Sequence, residues 1–384
     1  MAYLAGHSPS APKGITCQGP QGAEVLAENL GKEEWSMKKF VSLLMIVMLL
    51  TAGLSGCGSK EEPAAPAQDS NAQEAEGAES EAPAAPAASG SGAELKFTTG
   101  GDQGTYYGFG SVLAGQISGA TGTKVTAITS GGSKANIEAM EAGDAQLGFV
   151  QSDVMAYAYE GTNLFEGAPV EGFSTVAALY MEQVQIVTCN PDIKTVADLA
   201  GKNVSIGAPG SGVYFNAIDI LGAYDLTEDD INATYEDFGN SAESLQDGKI
   251  DAAFVVAGAP TTAVTSLSTS KDVYLVSLDD EHINKLIETS PYYTKNVIAA
   301  DTYNMDADAT TVAVGAVVIA RDDVAEEDVY NFVSTIFENV DTITTAHAKG
   351  AELDLEFAGS VTAVPYHPGA AKYFSEKGME VPTK

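Results

Sequence analysis

Apolar residues recur in two rhythms along the chain. From Leu95 onwards, short runs of aliphatic and β-branched residues alternate with stretches where apolar positions return every three or four residues. The first rhythm predicts strands at 95–98, 124–129, 147–150, 175–180, 184–188, 203–206, 252–256, 273–276 and 312–320. The second predicts helices at 107–118, 133–142, 153–159, 196–199, 211–221, 240–246, 280–290 and 326–339. Such alternation describes an α/β protein with mostly parallel sheets. In these folds ligands sit where strand carboxyl ends meet helix amino ends. An internal echo supports two lobes of one design. Gly131-Gly132-Ser133, a helix, Leu147-Gly148-Phe149-Val150 and Gln151-Ser152-Asp153 are answered by Gly239-Asn240-Ser241, a helix, Ala252-Ala253-Phe254-Val255-Val256 and Gly258-Ala259-Pro260.

Upstream the pattern changes. Met37-Lys38-Lys39 opens a basic segment, residues 40–50 form an apolar run with a single serine, and small residues lead to Leu54-Ser55-Gly56-Cys57. This is the layout of a secretory signal peptide, and the run is too short for an ordinary membrane span. Leu-Ser-Gly-Cys resembles the bacterial lipobox, which implies a lipidated Cys57 as the first mature residue. Residues 37–56 are then the signal, and 1–36 an upstream extension excluded from the fold. Residues 57–94 read as a tether, because 61–92 are dominated by Glu, Ala, Pro, Gln, Ser and Gly and hold almost no large apolar side chain. The module is expected to sit outside the cell, anchored to the outer face of the cytoplasmic membrane.

Charge and composition narrow the chemistry. Lys and Arg number 19 against 53 Asp and Glu, a net charge of −34, which excludes a nucleic-acid partner. Cys17, Cys57 and Cys189 are far apart and the histidines have no ligand spacing, so no metal site, redox site or cofactor is expected. His347 and His367 read as surface or turn residues. Arg321 is the only arginine, and its place before Asp322-Asp323 reads as a surface residue opening a helix.

Three loops share a strand, a Gly-rich turn and a helix opened by Ser or Thr: Gly100 to Tyr107, Gly131 to Asn136, and Gly207 to Gly212. Free N–H groups and the dipole make each helix start an anion site, although Ser and Thr there also serve as plain caps. Tyr106, Tyr107 and Tyr180 either line a pocket or fill the core. Enzyme signatures fail. The last loop lacks the Lys of a nucleotide P-loop, no Gly-x-Ser-x-Gly elbow has partners, and no catalytic dyad stands out.

Taken together, Gly104-Thr105-Tyr106-Tyr107, Gly132-Ser133-x-x-Asn136, Gln151-Ser152-Asp153, Leu179-Tyr180-x-Glu182, Asp198-Leu199-x-Gly201-Lys202, Gly207-Ala208-Pro209-Gly210-Ser211-Gly212 and Pro365-x-His367-Pro368-Gly369-Ala370 resemble the TAXI family of TRAP transporter receptors. The resemblance runs in order from Leu95 to the C-terminus. It implies a two-lobed periplasmic-binding-protein-like fold (type II) with two hinge crossings, lobe one being 95–183 plus 303–384 and lobe two 184–302. It implies no catalysis, a small organic anion as ligand (glutamate- or glutamine-like, or a short dicarboxylate) and an ion-gradient-driven TRAP permease as partner. The ligand-binding residues it implies are Thr105, Tyr106, Tyr107, Gly132, Ser133, Asn136, Gln151, Ser152, Tyr180, Ser211, Gly212, Tyr214 and Pro260. With Arg321 off the site, a carboxylate is expected to rest on backbone N–H groups and hydroxyls. The alternative of a different class is a receptor presenting its ligand to a membrane signalling protein.

Overall fold

The computed structural model describes residues 89–384. The extension, the signal peptide, Cys57 and tether residues 57–88 lie outside the described residues. Tether residues that are described are docked. Ser91 N donates to Asp328 Oδ1 at 3.1 Å and Asn331 Nδ2 donates to Ser89 O at 2.9 Å.

In chain order β1 (Glu94–Thr98), α1 (Thr105–Ala120), β2 (Lys124–Ile128), α2 (Ser133–Glu141), β3 (Leu147–Gln151) and α3 (Ser152–Glu160) lead into the long strand β4 (Phe173–Thr188). Then come β5 (Asn203–Ser205), α4 (Val213–Ala223), β6 (Asn232–Thr234), α5 (Phe238–Gln246), β7 (Ala252–Ala257) and α6 (Thr262–Ser268). β8 (Tyr274–Leu275), α7 (Asp280–Thr289) and β9 (Thr294–Ile298) precede a second long strand, β10 (Ala309–Arg321). Helices α8 (Glu326–Glu338), α9 (Val340–Ala346), α10 (Leu355–Ala358) and α11 (Pro368–Glu376) follow. Among the described residues no helix is long and apolar enough to cross a membrane.

Eight of the strands form one path, β2-β1-β3-β10-β4-β7-β5-β6, while β8 pairs with β4 and β9 with β10. Parallel pairing holds within β2-β1-β3 and within β7-β5-β6, as βαβ connections require. The joining strands depart from the mostly parallel expectation: β4 and β10 are antiparallel to each other and to their neighbours. The expected strands 175–180 and 184–188 are one strand. Its middle, Met181-Glu182-Gln183, stays paired to β10 through Ala313, Val314 and Gly315.

Those two strands serve two cores. Val176, Leu179, Tyr180, Ala316 and Val318 pack with Phe97, Phe149 and Phe332, whose rings stack at 4.9 Å and meet edge-on at 5.6 Å. Each such pair is worth about 0.5–1.5 kcal/mol beyond its buried area. Further along, Val184, Ile186, Val312 and Val314 pack instead with Val204, Ile220 and Phe254. Glu182 therefore lies where β4 passes from one core to the other.

Two single-residue readings change. His367 is 2% exposed rather than on the surface, and its ring caps α11 by accepting from Gly369 N at 3.3 Å. Arg321 is the last residue of β10 rather than the first of a helix, and it pairs with Asp323 at 2.6 Å.

Candidate functional site

Four helices begin around one cavity of about 260 Å³: α1 at Gly104, α2 at Gly132, α4 at Gly212 and α5 at Asp237. The cavity lies at the carboxyl ends of both parallel triads, bordered by Gly100, Ser130 and Gln151 from one side and by Ala208 and Ala257 from the other. Among these starts the glycine caps of α1, α2 and α4 offer no side-chain acceptor to their first N–H groups. Apart from Ala135 N, which donates to Gly210 O, those donors stay available to an anion, aided by the helix dipole. At α5 the Asp237 carboxylate caps Asn240 N at 2.8 Å, so that start is already served.

Glycine is a steric necessity where the two sides meet. Gly132 has φ +103°, and a Cβ there would sit 3.3 Å from Ser211 Cα. On Gly212 a Cβ would fall 1.3 Å from Gln151 Oε1. Ala135 N donates to Gly210 O at 3.0 Å across the same junction. The α2 and α4 loops thus touch over the cavity.

Of the residues expected to bind ligand, Thr105, Tyr106, Gly132, Ser133, Gln151, Ser211 and Gly212 line this cavity. Ser211 Oγ is buried with no partner among the described residues, whereas Thr105 Oγ1 donates to Gly258 O at 3.1 Å. The others stand elsewhere. Asn136 ties β1 to β3, its Nδ2 donating to Thr99 O and Phe149 O at 2.7 Å each. Ser152 Oγ accepts from Gly315 N at 3.0 Å, and Tyr214 OH donates to Glu228 at 2.9 Å. Tyr107 is half-buried and Pro260 exposed, neither on the cavity wall. Tyr180 is buried directly behind it, and its hydroxyl donates to Glu182 Oε1 at 3.4 Å.

Glu182 is the residue the reading from sequence left out. It lines the cavity at 2% exposure, and Tyr106 OH donates to its Oε2 at 3.1 Å. Burial raises its carboxyl to about 8, against the lowering effect of the two tyrosine hydroxyls and of Lys349. The signal was present: Glu182 is the one carboxylate in the run 173–188, and a charge between apolar segments marks either a break or a site. Asp102 and Asp237 also border the cavity, both exposed, and no Lys or Arg does among the described residues.

Beside the cavity runs a buried polar seam. Gln151 Nε2 donates to Asn216 Oδ1 at 2.7 Å, and Asn216 Nδ2 donates to Asp153 Oδ2 and to Tyr293 OH, both at 2.8 Å. Tyr293 OH donates onward to Asp219 at 2.9 Å. Asp153 has no exposure, and burial raises its carboxyl to about 7.

Loops from two parallel triads, with two long strands joining them, thus surround one cavity. The NMT1-like family matches residues 97–378, and the chain belongs to that family. In structure it is similar to the alkanesulfonate-binding protein of Xanthomonas axonopodis pv. citri bound to MOPS, at 14% identity over 74% of this chain and 90% of that one, with a TM-score of 0.45. It is also similar to the periplasmic aliphatic sulphonate binding protein of Escherichia coli, at 17% identity, 74% and 92% coverage and a TM-score of 0.40. An amino acid ABC transporter substrate-binding protein from Streptococcus pneumoniae bound to L-arginine gives 17% identity, 67% and 95% coverage and a TM-score of 0.43.

Proposed function

We propose that the chain is an extracytoplasmic solute-binding receptor that captures a small organic anion and passes it to an ion-gradient-driven TRAP permease, without catalysis. The observation that carries this reading is the cavity where three glycine-capped helix starts converge with no cation on its wall among the described residues. Such a site holds a carboxylate on backbone N–H groups and on the Ser133 and Ser211 hydroxyls. The apolar part of the ligand would lie against Tyr106, Phe238 and Val256.

In this reading residues 95–183 with 303–384 form one lobe and 184–302 the other, the chain crossing between them within β4 and again just before β10. Loops from both lobes meeting over the cavity then correspond to a closed receptor. Cys57 would carry the lipid, and because one acyl chain holds only marginally, more than one is expected. Cys57→Ser should release the protein or leave it unprocessed.

The test of capture is a thermal-shift and calorimetric screen of the full chain against amino acids and short dicarboxylates. A ligand binding only the native state stabilises it by about 2.7 kcal/mol at a hundredfold excess over its dissociation constant. A screen in which no organic anion raises the melting temperature would overturn the reading.

A further inference from the structure

The geometry points to Glu182 as a proton-bearing recognition residue: in its neutral form its carboxyl O–H donates to a carboxylate of the captured ligand, so that anion and proton enter the closed site together. This rests on the reading of the cavity as an organic-anion site and adds the residue that sets its proton linkage.

Three features of the wall lead there. Glu182 is 2% exposed and borders the cavity with no cation in hydrogen-bonding reach. Its two oxygens face only the hydroxyls of Tyr106 from α1 and Tyr180 from β4. Tyr106 is held in place by its ring, stacked on Phe149 at 4.6 Å. An ionised Glu182 would put a fixed negative charge inside a cavity toward which three helix starts direct positive ends, and would oppose the anion they favour. A neutral Glu182 removes that opposition and supplies a donor.

The charged surroundings agree. Asp153 on α3 acts through space to favour the proton on Glu182, as burial does, and the carboxyl is raised to about 8. Lys349, in the short turn Ala348–Glu352, is the one cation acting against this. Its charge is already paired with Glu352, and its ammonium lies 5.5 Å from the Tyr180 ring centroid. Asp102 and Asp237 border the same cavity but are exposed, and Asp237 is occupied as a helix cap.

The linkage has a definite sign. An anion that needs the protonated carboxyl binds with constant affinity below about pH 8 and loses about tenfold per pH unit above it. The experiment is isothermal calorimetry of the full chain with succinate, glutarate and L-glutamate from pH 6 to 9.5. Runs at pH 8.5 in two buffers of different ionisation enthalpy add the proton count. The expected result is falling affinity above pH 8 together with net proton uptake on binding. Glu182→Gln, which keeps a donor and cannot ionise, should abolish the fall and bind more tightly than the wild type at pH 9.5. Affinity that is flat or rises through this range, or proton release on binding, overturns the assignment and leaves the receptor reading standing. L-glutamate binding while glutarate does not, with affinity rising with pH, would make Glu182 an ionised acceptor for an ammonium and overturns it too. If none of the three anions binds the wild type at any pH, this anion class fails, and the inference with it. The buffer comparison uses wild-type protein alone, so the proposal does not hang on the folding of the variant.

Discussion

Two buried carboxyls stand close together in this molecule and are used differently. Asp153 is enclosed in the seam, where Asn216 donates to it and Tyr293 and Asp219 extend the chain of bonds. Glu182 has tyrosine hydroxyls behind it and open volume in front. Both are raised by loss of water, Asp153 to about 7 and Glu182 to about 8. What separates them is access: a proton on Asp153 is shared only with the protein, whereas one on Glu182 is presented to whatever fills the cavity. Buried polar groups in the seam fix how the α3 and α4 helices meet, whereas the same kind of group in the wall faces open volume.

The largest effect that tests this contrast is on stability against pH. Each carboxyl keeps its proton in the folded chain at pH values where the unfolded chain has lost it. Its contribution is therefore fully present below the unfolded carboxylate range and is lost as pH rises through about 7 for Asp153 and about 8 for Glu182. Each group should cost up to about 1.4 kcal/mol per pH unit across its window. His347 and His367, held low by burial, act in the opposite sense near the ordinary histidine range, so the difference between wild type and variant is the quantity to follow. Urea denaturation from pH 5 to 8 should find Asp153→Asn flattening the slope only up to about pH 7, and Glu182→Gln flattening it across the whole range, including the stretch above 7 where Asp153 no longer contributes. Identical slopes in all three proteins would erase the contrast.

The sequence reading reached the helix starts more surely than the carboxyls, for physical reasons. Gly-rich turns before Ser or Thr announce themselves locally, and Ser133, Ser211 and Gly212 needed only their neighbours in the chain to be singled out. Glu182 became meaningful only through Tyr106, which is far away in sequence and near in space. The polar pair Glu182-Gln183 between two apolar runs reads as a break, so β4 was split just where it passes between cores. Strand direction was harder still. The βαβ alternation implied parallel pairing, and nothing local marks 173–188 and 309–321 as the antiparallel pair that joins the triads. His367 shows the same limit on a smaller scale, since its burial comes from the C-terminal helices packing on β4.

Ser211 sharpens the contrast from the cavity side, because its two expected effects have opposite signs. Its hydroxyl is buried and has no partner among the described residues, a condition that costs stability in the ligand-free chain. Ser211→Ala should leave the free protein as stable or slightly more so, while weakening a bound carboxylate by roughly 1.5–3 kcal/mol. Melting curves with and without ligand measure both. A variant that lost stability without ligand and kept its affinity would place the hydroxyl in the framework. Gly212 tests the seam. A methyl group there meets Gln151 Oε1 head-on, and such overpacking costs about 1–3 kcal/mol. Gly212→Ala should weaken ligand binding and disturb the bond from Gln151 to Asn216, read as a lower melting temperature of the bound form.

Arg321 should give the smallest effect, and its silence is informative. A cation that clamps the ligand would have to reach the cavity, yet Arg321 ends β10 and is engaged by Asp323 with two bonds at 2.6 and 2.9 Å. It borders a different hollow, formed with Glu141 and Pro169. The pair is partly exposed, so its loss should cost no more than about 1 kcal/mol of stability. Arg321→Ala should hold ligand affinity within about twofold, since the chain's only arginine lies off the cavity wall. A hundredfold loss in this variant, with Ser211→Ala and Ser133→Ala both silent, would mean that the anion is held by a guanidinium at β10 and that the cavity between the triads is not its site.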